Sequence, residues 1–193
     1  MRHLRPLLLG ALLGSLSLAP AASAGGPSLF VSTEGRFAAT FPERPTPDRA
    51  GRETWAGRIE AGSYEAVVGG LHLRIEFHDV PQIGLLLLSE QRILAMAKDS
   101  MLEDMEATIS REETARLREH PGIAVRFETS SRPGQIEECR LYLVGSRLFV
   151  IFVRNDHPGV GDEAAARFLA SFNAWEPGET LASASRIGSE SGL

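Results

Sequence analysis

Residues 136–154 read IEECRLYLVGSRLFVIFVR, and the fold follows from this stretch. Ile136 to Val144 and Arg147 to Arg154 are two strand-like runs separated only by Gly145-Ser146. A two-residue loop with a glycine free to take positive φ is a common hairpin connection, so the two runs are expected to pair antiparallel. In the second run every position from Leu148 to Val153 is apolar, whereas a strand with one wet face alternates. That strand is therefore expected at the centre of a sheet, covered on both faces.

Working upstream, Ile123, Val125 and Phe127 alternate with Ala124, Arg126 and Glu128 between the turn signals His120-Pro121-Gly122 and Arg132-Pro133-Gly134. Ile109 to Glu119 supplies a further strand, and the second half reads as a meander. In the first half, Leu71, Leu73, Ile75 and Phe77 alternate with His72, Arg74, Glu76 and His78, which gives one buried and one wet face over Leu71 to Val80. Leu29 to Phe41 is a shorter strand-like stretch, stopped by Pro42, Pro45 and Pro47. Proline lacks the ladder N–H, so Pro42 to Asp48 is expected to be a surface connection, with strand resuming near Thr54.

Two helices complete the pattern. Ile93, Ala97, Met101 and Met105 recur every four residues after Ser89, which predicts a capped helix over residues 89–107. Ala165, Phe168, Leu169 and Phe172 predict a second one, with Asp162 as the expected cap. The fold class is α+β: a twisted antiparallel β-sheet meander covered by helices on both faces.

The N-terminus has its own logic. Arg2 and Arg5 precede a twelve-residue apolar stretch from Leu7 to Leu18, and Ala22-Ser23-Ala24 has the small-x-small pattern that signal peptidase cleaves after. Residues 1–24 are thus expected to be a signal peptide, cut after Ala24, and the product periplasmic or secreted. Twelve residues fall short of the roughly 20 a spanning helix needs. The only cysteine, Cys139, is far from the cleavage point, so neither a lipid anchor nor an intramolecular disulfide is expected. Residues 25–176 form the single expected domain, and the Ser-, Ala- and Gly-rich residues 177–193 an expected disordered tail. Cleavage would leave 18 basic against 25 acidic side chains, a net charge of −7. That balance argues against nucleic acid or an anionic membrane surface as partner.

Several phrases resemble the PsbP-like group of extrinsic photosystem and exported bacterial proteins. They are Glu34-Gly35-Arg36-Phe37 leading to Phe41-Pro42, Phe77-His78-Asp79-Val80-Pro81, the helix from Ile93 to Met105, the hairpin from Arg140 to Phe149, and Phe168-Leu169-Ala170-Ser171-Phe172. The resemblance spans most of residues 29–175 and is structural in character. It implies a PsbP-like α+β sandwich and a non-catalytic accessory or binding module, with an envelope or secreted protein as the expected partner.

Residues four apart on a strand stand about 13 Å apart, too far for one ion, so a metal site on the polar face reduces to Glu76, His78 and Asp79 with a further ligand from elsewhere. Cys139 shares a face with Leu141 and Leu143 and is expected to be buried and inert. His120 and His157 belong to separate turns at opposite ends of the meander. Glu112-Glu113 and Glu137-Glu138 are adjacent, so on strands their members face opposite ways and cannot cooperate as acid and base. No nucleophile elbow or phosphate loop is present, and no catalytic residue or cofactor is expected. The expected function is therefore an exported accessory or protein-binding module. The alternatives are a small-molecule or metal-binding periplasmic protein, favoured by a deep polar pocket, and an enzyme of unrecognised type.

Overall fold

The computed structural model describes residues 26–54 and 57–182, without side-chain detail at 50–54 and 57–60. The expected signal peptide and the expected tail from residue 183 onward lie outside the described residues.

Seven strands form the main sheet: β3 (Thr46–Thr54), β4 (Gly57–Val68), β5 (Leu71–Asp79), β6 (Ala107–Leu117), β7 (His120–Thr129), β8 (Glu137–Val144) and β9 (Arg147–Asn155). Their order is β3-β4-β5-β9-β8-β7-β6, and every neighbouring pair is antiparallel. A smaller sheet, in the order β1-β2-β10, joins β1 (Ser28–Ser32) and β2 (Phe37–Phe41) to the short β10 (Asn173–Ala174). The helices are α1 (Gln82–Leu87), α2 (Glu90–Asp104) and α3 (Asp162–Ser171).

The hairpin on which the fold turns is present. Val144 pairs with Arg147 across Gly145, whose φ of 58° lies in the left-handed region that glycine takes without strain. β9 is the fourth of seven strands, as its apolar pattern required. One of its faces carries Phe149, Ile151 and Val153, in register with Phe77, Ile75 and Leu73 of β5. These side chains pack against β2: the Phe37 ring centroid lies 6.0 Å from that of Phe77, 6.4 Å from Phe149 and 6.1 Å from Phe172. Phe37, Phe149 and Phe168 are fully buried, and each such side chain contributes about 2 kcal/mol of burial free energy. The second cover is therefore the small sheet with α3 beside it, where a helix alone was expected. The cause is the aromatic alternation of β2, which needs a buried partner as much as α3 does.

On the opposite face, α2 lies over β7 and β8. Ile93, Leu94, Met101 and Leu102 meet Val125, Phe127, Cys139, Leu141 and Leu143. Ser89 caps α2, its Oγ accepting from the Arg92 amide at 3.3 Å. The helix ends at Asp104, earlier than expected, because Glu106 takes φ 48° and turns the chain directly into β6.

Other boundaries differ for local reasons. β3 starts at Thr46 and includes Pro47, which is tolerated because β3 is an edge strand. His120-Pro121-Gly122 belongs to β7, and the turn is Arg118-Glu119, with Arg118 at φ 57°. Gly122 serves close approach, since a Cβ there would meet Tyr142 Cδ1 at 2.4 Å. Asp162 is not the cap of α3. Gly161 holds that position at φ 84°, while Asp162 sits in the first turn and accepts from Asn155 Nδ2 at 2.9 Å. Within the expected tail, Leu181 packs against Ala38 and Trp175.

Candidate functional site

The period-two pattern of β5 sends His72, Arg74, Glu76 and His78 to the face shared with α2. In register beside them on β9 stand Arg154, Phe152, Val150 and Leu148 respectively. β4 adds Glu65, opposite Arg74. Because α2 is committed to β7 and β8, this half of the face lies open. The result is a groove of about 670 Å³, a size typical of small-molecule sites. Leu148, Val150 and Phe152 form its apolar floor, β5 forms one wall, and Met96, Ala97, Ser100, Glu103 and Asp104 of α2 form the other.

The groove has two unlike ends. Near the start of α2 the lining is Val80, Pro81 and Leu88, and the adjoining α1 holds Leu86 and Leu87 largely in solvent, at 77% and 72% exposure. At the other end the side chains are charged. Arg154 donates from Nε to Asp156 at 3.1 Å, and its Nη2 lies 2.7 Å from His72 Nε2. His72 Nε2 stands 3.2 Å from Asp156 Oδ2. The Asp156 carboxyl is held below its usual range, because Arg154 and His72 outweigh the opposing cost of desolvation. Arg74 donates to Glu76 at 2.8 Å. Arg132, reaching in from the β7–β8 loop, lies 2.9 Å from Glu137 Oε1.

Glu137 is the residue that sequence reasoning missed. The adjacent pair does split across the sheet, with Glu138 engaging Arg126 and Arg140 on the other face. Its partner, however, is fully buried, and neither carboxylate oxygen accepts a well-aligned hydrogen bond. Burial pushes the Glu137 carboxyl up, opposed by the charges of Arg132, Arg154 and His72.

The sequence-derived metal trio does not assemble. Glu76 and His78 both line the groove, but Asp79 belongs to the other face of β5. There Arg147 holds its carboxylate at 2.7 and 2.8 Å, with Arg36 at 3.2 Å. Among the described residues no three His, Cys, Asp or Glu side chains converge on a point that could hold an ion. Cys139 is fully buried with Sγ 3.5 Å from Met101 Sδ, and desolvation pushes its thiol far up, away from the reactive thiolate. His120 is buried in β7, and His157 lies in the exposed loop after β9. No helix among the described residues is long and apolar enough to cross a membrane.

No family model and no curated protein matches the chain. Its structure is similar to the solution structure of cyanobacterial PsbP from Synechocystis sp., with a TM-score of 0.55 at 8% identity, covering 82% of this chain and 99% of that one. A crystal structure of a Pseudomonas aeruginosa protein of unknown function, described as a putative regulator, aligns at TM-score 0.40 and 11% identity, over 81% of this chain and 100% of that one. The agreement in fold with the first extends over nearly its whole length, and the chain accordingly has a PsbP-like α+β fold.

Proposed function

We propose that the protein is an exported, non-enzymatic binding module whose groove holds a small amphipathic molecule. The observation that carries this reading is the floor of the groove. Val150 and Phe152 belong to an unbroken apolar run, yet they are only partly buried: they pack sideways against the α2–β7–β8 core and line the groove with the rest of their surface. Apolar surface at the base of a concavity, walled by methionines that adapt to ligand shape and ended by charged side chains, is the composition of a ligand site. Against catalysis, the one cysteine is sealed in the core, and His72, Arg74 and Glu76 of the β5 wall are engaged in ion pairs. Docking of a protein strand on β6 is disfavoured, since that edge is charged along its length and bulged between Ile109 and Arg111, both devices that blunt strand addition.

The test uses the neutral apolar probe N-phenyl-1-naphthylamine. Saturable, one-site fluorescence enhancement is expected with the native protein. It should be lost in Val150→Trp and in Met96→Trp, which fill the groove from floor and wall while melting near the native temperature. Absence of saturable binding, or binding unchanged in both folded variants, would remove the groove as the site.

A further inference from the structure

The width and length of the groove floor set the shape of the occupant, on the reading that the groove is a ligand site. The floor is one strand wide. Leu148, Val150 and Phe152 of β9 face the groove, with Leu148 the most deeply set. On one side their register partners on β5 are His78, Glu76 and Arg74, all polar. On the other side the partners on β8 are Leu143, Leu141 and Cys139, which α2 already covers. Neighbouring strands lie about 4.8 Å apart, so an apolar body wider than a single hydrocarbon chain would have to desolvate the polar row of β5 or displace α2.

This lane is chemically one-ended. Beyond Leu148 it meets Val80, Pro81 and Leu88, and no charged residue occurs from Val80 to Ser89. Beyond Phe152 stand Arg154 and His72, both engaged with Asp156. Because these groups answer one another's charge, they set the direction in which an amphiphile lies and leave the sign of its head open. The floor also fixes a length. Leu148 and Phe152 are four residues apart on one strand, or about 13 Å. An extended alkyl chain advances per bond at much the same rate as extended backbone, which makes three bonds per residue, so about ten to twelve carbons cover that distance.

We infer that the groove takes a single-chain aliphatic amphiphile of about ten to twelve carbons, its tail ending against Val80 and Leu88 and its head lying at Arg154 and His72. A fused-ring body does not match a floor one side chain wide. Met96 and Ala97 of α2 flank the chain, and the unbranched thioether of Met96 adapts to a flexible tail.

Competition against N-phenyl-1-naphthylamine with alkyl maltosides from hexyl to tetradecyl, each below its micelle concentration, reads the length while a neutral head is held constant. Affinity should rise about two- to fourfold per methylene up to decyl, as partial to full burial of each methylene requires, and level off by dodecyl. A neutral fused-ring amphiphile, the bis-gluconamide of cholamide, should compete roughly tenfold more weakly than decyl maltoside. Val80→Trp, which fills the tail end, should pull the limit down to shorter chains while hexyl maltoside still binds. Glu103→Trp, at the head end, should change the affinity of every chain by a common factor and leave the limit in place. The native series decides the length by itself even if Val80→Trp does not fold. Affinity climbing unabated through tetradecyl, affinity flat from hexyl to decyl, equal competition by the fused-ring amphiphile, or a limit moved by Glu103→Trp instead of Val80→Trp would each overturn the inference while the neutral probe still reports an intact site. Absence of saturable probe binding in the native protein would instead overturn the groove reading itself.

Discussion

The two faces of β9 have nearly the same composition and opposite fates. Phe149, Ile151 and Val153 disappear beneath β2, α3 and the Phe37 cluster, while Val150 and Phe152, one residue along in each case, form the floor of an open groove. The difference lies in what each face is given as cover. The small sheet and α3 both return to the middle of the main sheet. α2, by contrast, is tied at its C-terminus to β6, the far edge strand, through the single left-handed residue Glu106. A helix anchored there covers β7 and β8 and cannot also reach β5. One face is thus a core, and the other is half core and half site.

The largest expected effect comes from attacking the covered face. Phe149→Ala should cost about 3–5 kcal/mol, because its ring fills a space bounded by Phe37, Phe77 and Phe172 that cannot collapse around an alanine. Urea unfolding followed by circular dichroism measures this directly. On the groove side, filling rather than emptying the space at Val150 should change ligand binding while leaving stability nearly untouched. A loss at Phe149 of under about 1 kcal/mol would erase the distinction between the two faces.

Much of this architecture was legible in residues 136–154. The Gly145-Ser146 hairpin, the central position of β9 and the burial of Cys139 all follow from local turn chemistry and period-two alternation. The groove was not legible, because apolar-on-both-faces has the same pattern whether the second face meets a helix or a ligand. What separates the cases is the path of α2, which depends on a turn at Glu106 that no glycine announces. Asp79 was misplaced beside Glu76 and His78 by sequence proximity, although a separation of three on a strand already puts it on the other face of β5 from Glu76. Glu137 was legible as one of two split carboxylates. Its burial follows the same alternation, which puts it on the face of Cys139 and Leu141, but the Arg132 that answers its charge comes from a loop whose closure has no sequence period.

Glu137 offers the next largest effect, and it tests the charged end of the groove. Its folded-state affinity for a proton exceeds that of the unfolded chain, so the folded state binds more protons over the window that opens near the ordinary value of 4.5 and extends upward. Stability from this group is therefore greatest at low pH and falls as pH rises through that window. Glu137→Gln removes the titration and keeps the shape. Its stability relative to the native protein should climb as pH rises above 4.5. A difference independent of pH would mean that Arg132 and Arg154 fully offset the burial of the carboxylate.

The smallest effect belongs to Asp79, on the covered face of β5, and its sign is opposite. Arg147 donates to both its oxygens and lies with its guanidinium carbon 5.1 Å above the Phe77 ring, which ties this pair to the rim of the core. The hydrogen bonds from Arg147, aided by its charge and by Arg36, outweigh desolvation and hold the Asp79 carboxyl below its ordinary value of 3.8. Its stabilisation is thus complete above that value and is lost as pH falls through the lower folded-state value. The side chain is 56% exposed, so screening keeps the contribution under about 1 kcal/mol. Asp79→Asn should therefore lower stability slightly at neutral pH, converge with the native protein in acid, and leave probe binding in the groove unchanged. Altered probe binding in this variant would show that the two faces of β5 are coupled, and the separation of core from site would then have to be drawn elsewhere in the sheet.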